Sequence, residues 1–126
     1  MKKIVFLCVE NSCRSQIAEA FANLHGSNKV LAFSAGSNPS GSVNPKAIKL
    51  MKELNYDLSK HESIHTDALP DVQIDKMVSM GCGDSCPTIR AKERIEWDIP
   101  DPKDMDEDEF RQVIKEIETK VLELLK

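Results

Sequence analysis

Residues Ile4 to Cys8 form an unbroken apolar run, and from Arg14 onward Ile17, Ala18, Phe21, Ala22 and Leu24 recur at helical spacing. An apolar run of that length fits a strand buried on both faces, and the recurrence fits an amphipathic helix. The unit of strand, tight loop and helix then repeats. A second run, KVLAFSAG at 29–36, ends in glycine, and SVNPKAIKLMKELN at 42–55 opens a helix with Asn44 as N-cap and Pro45 at its first position. DKMVSM at 75–80 reads as a third buried strand and RIEWDI at 94–99 as a short fourth. The closing segment 106–126 places Phe110, Val113, Ile114, Ile117, Val121 and Leu125 on one stripe behind an acidic first turn, as a last helix packed on the sheet would require.

Strands alternating with helices predict a four-stranded parallel sheet covered on both faces, an α/β fold of three α/β/α layers and flavodoxin-like type. Ligands of such folds bind at the carboxyl ends of the strands. A chain of 126 residues suffices for a single domain over 1–126 that buries roughly 65–70% of its unfolded surface, so disulfides are not needed for stability. Two loop-rich stretches, 57–72 and 81–105, are left to carry chemistry. Met51, Met77 and Met80 lie in apolar runs and are expected in the core, and Trp97 in the core or a cleft wall.

The 21 acidic and 17 basic side chains give a formal charge of −4, which argues against general affinity for nucleic acid or an anionic membrane. An anionic ligand would therefore need a local device to attract it. The lysines at 2 and 3 imitate a signal peptide, but the apolar run from Ile4 to Val9 is shorter than a secretory core, and no small-residue cleavage pattern follows. No segment approaches the length of a membrane span. The expected compartment is the cytoplasm, where thiols stay reduced and cysteines are more often catalytic or metal-binding than structural.

That device is legible at the first strand-to-helix junction. Five residues separate Cys8 from Arg14, and Ser15 follows. A helix N-terminus offers unpaired N–H donors and roughly half a positive charge, which suits a tetrahedral oxyanion. The N–H groups from Val9 to Arg14 are candidates to bind its oxygens, with Arg14 adding a planar two-pronged grip. The same field favours thiolates, since cysteines at helix N-termini or beside arginine can have pKa values of about 3.5–7.5. Cys8 is thus the candidate nucleophile, aimed at the bound anion. Asn11, Ser12 and Ser15 shape the loop, Cys13 packs behind it as a small residue, and Glu10 is expected to point outward, away from an anion it would repel. The segment lacks the G-K-[ST] of a nucleotide-binding loop.

CVENSCRSQIAEAF at 8–21 resembles the phosphate-loop signature of the low-molecular-weight tyrosine phosphatase superfamily, and more closely its arsenate reductase branch, in which N-S-C-R-S-Q with a following A-E is usual. The phosphatases generally carry proline where this chain has Gln16, and glycine is common in both branches where it has Glu10. SAG at 34–36, VNPKAI at 43–48 and DLSKH at 57–61 also resemble the reductases, so the similarity covers most of the chain.

The resemblance implies the small low-molecular-weight phosphatase fold and a general acid at Asp101, from an Asp-Pro on a loop near the C-terminus; Asp98, Asp104 and Asp106 are its neighbours and competitors. Protonating a departing oxygen is typically worth about 10²- to 10⁴-fold. Cys82 and Cys86, on the loop after the third strand, supply the thiols that a two-electron reduction needs and a phosphatase does not. By analogy Cys8 forms an adduct with arsenate, Cys82 attacks the Cys8 sulfur as arsenite departs, and Cys86 carries the disulfide outward to thioredoxin. In the best-known thioredoxin-coupled pattern the two loop cysteines stand further apart than the three intervening residues found here; glutaredoxin or a small thiol acting directly on the Cys8 intermediate is the alternative. Phosphate and sulfate are the expected competing anions, and no cofactor is called for.

Two rival readings stand beside this one. Phosphotyrosine phosphatases usually carry tyrosine just after the acid dipeptide, where this chain has Lys103 and Asp104. Cys8, Cys13, Cys82 and Cys86 as a tetrahedral zinc site would make the chain a metal-binding or regulatory module, although C-x4-C with C-x3-C is not the usual finger spacing. His25, His61 and His65 match no metal or triad spacing and are expected on the surface or in loops.

Overall fold

A computed structural model describes residues 1–81 and 90–126. Strands β1 (Lys2–Cys8), β2 (Val30–Gly36), β3 (Ile74–Met80) and β4 (Ala91–Trp97) form one parallel sheet in the order β2-β1-β3-β4. Helices α1 (Arg14–Gly26), α2 (Pro45–Lys52) and α3 (Glu107–Leu124) accompany them, with short 3-10 turns at Leu58–Lys60 and Thr66–Ala68. This is the α/β architecture read from the alternating pattern. The fourth strand starts three residues before the predicted RIEWDI and stops at Trp97. Its exposed Lys92, Glu93, Arg94 and Glu96 are what an edge strand carries to discourage further pairing.

β1 is central, and Ile4 to Cys8 are all buried. Because side chains alternate along a strand, Ile4, Phe6 and Cys8 face one layer, in which Ile17 and Phe21 of α1, Leu50 and Met51 of α2, and Phe110 and Ile117 of α3 meet. Val5 and Leu7 face the other layer with Ala35, Ile74 and Met77, and Ile64 and Leu69 from the 57–72 stretch cover them. The three methionines are in the core as expected, and Trp97 packs against Phe6 at 5.9 Å between ring centroids. Leu24 departs from its stripe and is 43% exposed.

Local chemistry fixes the helix ends. Asn44 Oδ1 accepts from the N–H groups of Lys46 and Ala47 at 2.8 and 3.2 Å, and Asp106 Oδ1 accepts from Glu109 N at 2.8 Å, each satisfying orphan donors of a first turn. α1 differs, because Cys13 precedes it without any side-chain cap. Its first amides remain available. Among the described residues, no helix is long and apolar enough to cross a membrane.

The chain steps from β1 to β2 on one side, and β3 returns to the other side of β1. A crevice is expected where that order reverses, at the carboxyl ends. β1 ends there in Cys8, paired with Gly36 of β2, and β3 ends in Met80 followed by Gly81. Packing of α3 through its apolar stripe predicts that Ile117→Ala costs about 2–5 kcal/mol in urea denaturation. Leu122→Ala, at a position 42% exposed, should stay within about 0.5 kcal/mol of the unaltered chain. Equal losses at both positions would contradict this packing.

Candidate active site

The loop between β1 and α1 is held from outside by its carbonyl groups. Val9 O accepts from Asn38 N at 2.9 Å, Glu10 O from Ser40 N at 3.0 Å and Ser63 Oγ at 3.2 Å, and Ser12 O from Asn44 N at 2.9 Å. Asn11 O accepts from Gln16 Nε2 at 3.0 Å, and Cys13 O from Ile17 N at 2.9 Å. In a planar trans peptide the next N–H points opposite to the carbonyl. Five carbonyls engaged away from the loop centre therefore turn the amides of Glu10 to Arg14 toward it. Asn11 makes the reversal possible, with a left-handed φ of 49°, which asparagine tolerates better than most residues. Gly36 permits the close approach of β2, since a Cβ there would lie 2.4 Å from Val9 O.

The loop borders a cavity of about 460 Å³ lined by Cys8, Val9, Glu10, Ser12, Cys13, Arg14, Asn38, Gly81, Asp101 and Lys103. Cys8, Arg14 and Asp101, far apart in sequence, thus face one space. Arg14 Nη1 donates to Ile99 O at 3.0 Å, and its Nη2 lies 3.8 Å from Asp101 Oδ2. Asp101 is 40% exposed at its side chain, and its Oδ1 accepts from Lys103 N at 3.2 Å. Of the competing carboxylates, Asp98 and Asp104 do not line the cavity, and Asp106 caps α3. Lys46 Nζ donates to Met105 O at 2.6 Å, so α2 also holds the acid-bearing loop.

Cys8 Sγ lies 2.9 Å from Ser15 Oγ. Asn11 Nδ2 donates to that hydroxyl oxygen at 2.7 Å, which leaves the Ser15 proton free to point at sulfur. Asn11 and Ser15 have no exposed surface, so their side chains shape the loop from behind instead of lining the cavity. Cys13, by contrast, is a buried thiol that burial pushes up to about 12; Asp101 and Cys8 push the same way against a long contact from Ser12. It is neutral at physiological pH and no second nucleophile. Glu10 does not simply point outward, because it lines the cavity and meets Lys103 at 3.4 Å.

A polar chain continues behind the loop, and it was not foreseen. Gln16 Nε2 also donates to Asn11 Oδ1 and Glu62 O, Ile64 N donates to Asn11 Oδ1, and Gln16 Oε1 lies 2.9 Å from His61 Nδ1. His61 Nε2 meets Tyr56 Oη, which accepts from Asn23 Nδ2 at 3.0 Å. The expectation of a surface or loop histidine is corrected in part: His61 follows a 3-10 turn, but its side chain is only 9% exposed, and burial holds its pKa below the usual value. Glu19 lies 3.8 Å from the same ring, and burial holds its carboxyl above the ordinary carboxylate range against the pull of the Ser34 hydroxyl. Cys82 and Cys86, the expected resolving and shuttle thiols, lie outside the described residues.

Residues 3–126 match the family model described as low molecular weight phosphotyrosine protein phosphatase. A curated relative from Staphylococcus epidermidis, arsenate reductase 1, is 40% identical over 95% of this chain and 92% of its own. The glutaredoxin arsenate reductase of Synechocystis is 34% identical over 99% and 97%. A solved arsenate reductase in a phosphate-binding state superposes with a TM-score of 0.90 at 34% identity, over 99% of this chain and 97% of that one. The thioredoxin-dependent arsenate reductase of Corynebacterium glutamicum gives 0.79 at 29% identity, over 98% of this chain and 60% of that one.

Two outcomes are expected from this geometry. Ser15→Ala should slow iodoacetamide alkylation of Cys8 by about tenfold, the scale of one hydrogen bond to a charged group. Mass-spectrometric mapping should find Cys13 unmodified at pH 8 in both proteins, and unchanged Cys8 labelling would show that the hydroxyl does not act on the sulfur. Glu19→Gln should raise the thermal midpoint at pH 8. A carboxyl with a raised folded-state pKa is penalised once ionised, so the cost grows as pH rises through that value and is absent below the ordinary 4.5, where both states are protonated. A gain that persisted below that pH would refute the assignment to ionisation.

Proposed function

The chain belongs to the low molecular weight phosphotyrosine protein phosphatase family, and from that premise we infer that it is an arsenate reductase, with residues 1–126 acting as one domain. The observation that carries this reading is the single cavity shared by Cys8, Arg14 and Asp101, in a chain that also carries Cys82 and Cys86. Arsenate binds with its oxygens on the loop amides and Arg14. The Cys8 thiolate attacks arsenic, an arsenate oxygen leaves as water with a proton from Asp101, and a sulfur–arsenic bond is formed.

A reduction then needs two electrons. The Cys82 thiolate attacks the Cys8 sulfur, the sulfur–arsenic pair passes to arsenic, and arsenite leaves as a Cys8–Cys82 disulfide forms. Cys86 displaces Cys8 by attacking Cys82, and the resulting disulfide is returned to two thiols by an external dithiol. The curated relatives and solved neighbours include reductases named for glutaredoxin and for thioredoxin dependence. We favour thioredoxin in the cytoplasm, because a third thiol of the chain's own can present it with a disulfide between Cys82 and Cys86. Phosphate and sulfate, tetrahedral like arsenate, would compete for the cradle.

The test is NADPH oxidation with arsenate, thioredoxin and thioredoxin reductase. Arsenate-dependent turnover should fall to background in Cys8→Ser, Cys82→Ser and Cys86→Ser. Full activity of Cys86→Ser with glutaredoxin and glutathione would replace the internal shuttle with an external thiol. Absence of arsenate-dependent turnover with either system would overturn the reading.

A further inference from the structure

Among the described residues, Glu10 and Lys103 are the two charged residues of the cavity wall whose use the proposed reaction leaves unexplained. Glu10 belongs to the oxyanion loop and Lys103 to the loop that carries Asp101, yet their side chains meet at 3.4 Å. Cys8 is 3% exposed, whereas the Glu10 and Lys103 side chains are 37% and 48% exposed. Sulfur is therefore at the floor and the ion pair at the rim. We propose that Glu10 and Lys103 form a charged bar across the mouth of the cavity that admits free tetrahedral oxyanions and turns away organic phosphate esters. The inference rests on the oxyanion-binding reading of the cavity and adds its selectivity.

Charge and shape both support it. A carboxylate alone at the rim would repel a dianion, but the Lys103 ammonium neutralises it. Glu10, then Asp101 and Asp104, hold Lys103 firmly in its charged form. An inorganic oxyanion on the loop amides has nothing that must extend past the rim. A phosphate monoester aimed at Cys8 carries its leaving group on the far side from sulfur, toward the mouth, where an ion pair joins the two loops. Seating the ester would mean parting that pair and exposing the bound dianion to a bare carboxylate. The bar also shares a turn with the acid, since Lys103 N donates to Asp101 Oδ1 at 3.2 Å, so an ester that displaced Lys103 would disturb the group that has to protonate it.

The test measures two quantities in the full chain, Glu10→Ala and Lys103→Ala: turnover of p-nitrophenyl phosphate, and the arsenate concentration that half-protects Cys8 from iodoacetamide. Removing either end opens the mouth, so the ratio of ester turnover to arsenate affinity should rise about fivefold, the scale of one exposed charge pair. Lys103→Ala should weaken arsenate protection by leaving Glu10 unneutralised. A ratio within about twofold of the unaltered chain in both variants, with unchanged thermal midpoints, would overturn the bar while leaving the oxyanion site intact. Failure of arsenate and inorganic phosphate alike to protect Cys8 in the unaltered protein would overturn the oxyanion reading, and the bar with it.

Discussion

The cradle depends on where the carbonyl groups of residues 9–13 go. Peptide planarity couples each C=O to the following N–H, so tying the carbonyls to partners outside the loop is what collects the amides inside it. Those partners come from separate parts of the chain: Asn38 and Ser40 after β2, Asn44 at the head of α2, Ser63 beyond the 3-10 turn, and the chain's own Gln16 and Ile17. Much of the fold can be understood as scaffolding for this arrangement. β2 supplies Gly36, without a Cβ, against Val9 O, and the 57–72 stretch both covers Val5 and Leu7 and delivers Ile64 N to Asn11 Oδ1. The cost of gathering unpaired donors at one point is borne by bonds made elsewhere, each of which satisfies a carbonyl that would otherwise be lost to water.

Arg14 makes the second connection. It is the first residue of α1, but its guanidinium reaches Ile99 O and leans on Asp101, so the loop after β1 and the loop bearing Asp101 share one cation. A Cβ at Gly81 would lie 2.2 Å from Arg14 Nη1, and the φ of 74° there is one that side chains rarely adopt. Glycine at the end of β3 thus leaves the room that Arg14 occupies. Lys46 and Lys103 anchor the acid-bearing loop from two further directions.

What the sequence made legible is what local chemistry decides. The doubly buried β1, the Asn44-Pro45 start of α2 and the acidic first turn of α3 each follow from short-range rules, and so does the strand-to-helix setting of the contiguous segment from Cys8 to Ser15. Asp101 was picked out by resemblance, through an Asp-Pro dipeptide that Asp98 and Asp104 lack, and the fold sets its carboxylate 3.8 Å from Arg14. The roles of His61, Tyr56, Gly81 and Lys103 were missed. His61 meets Gln16, Tyr56 meets Asn23, Gly81 leaves room for Arg14 and Lys103 meets Glu10, in each case across 33 or more positions of chain. No periodicity or spacing carries such information. The 9% exposure of the His61 side chain behind Gln16 is a tertiary fact that its polar surroundings in HESIHTD conceal.

The two cysteines of the loop show how narrowly its field is aimed. Cys8 and Cys13 are equally inaccessible, each 3% exposed, and both belong to the same short turn. Proximity to a helix N-terminus therefore cannot be what separates them. Cys8 ends a strand with its sulfur 2.9 Å from the Ser15 hydroxyl, whose oxygen also accepts from Asn11 Nδ2. Cys13 precedes α1 with only a 3.8 Å contact from Ser12 and with burial and the Asp101 carboxylate both opposing ionisation. The two thiols differ in how near a hydroxyl lies, 2.9 Å for Cys8 and 3.8 Å for Cys13. A loop that activated both would invite a disulfide within itself, whereas this one sets its two thiols in different surroundings.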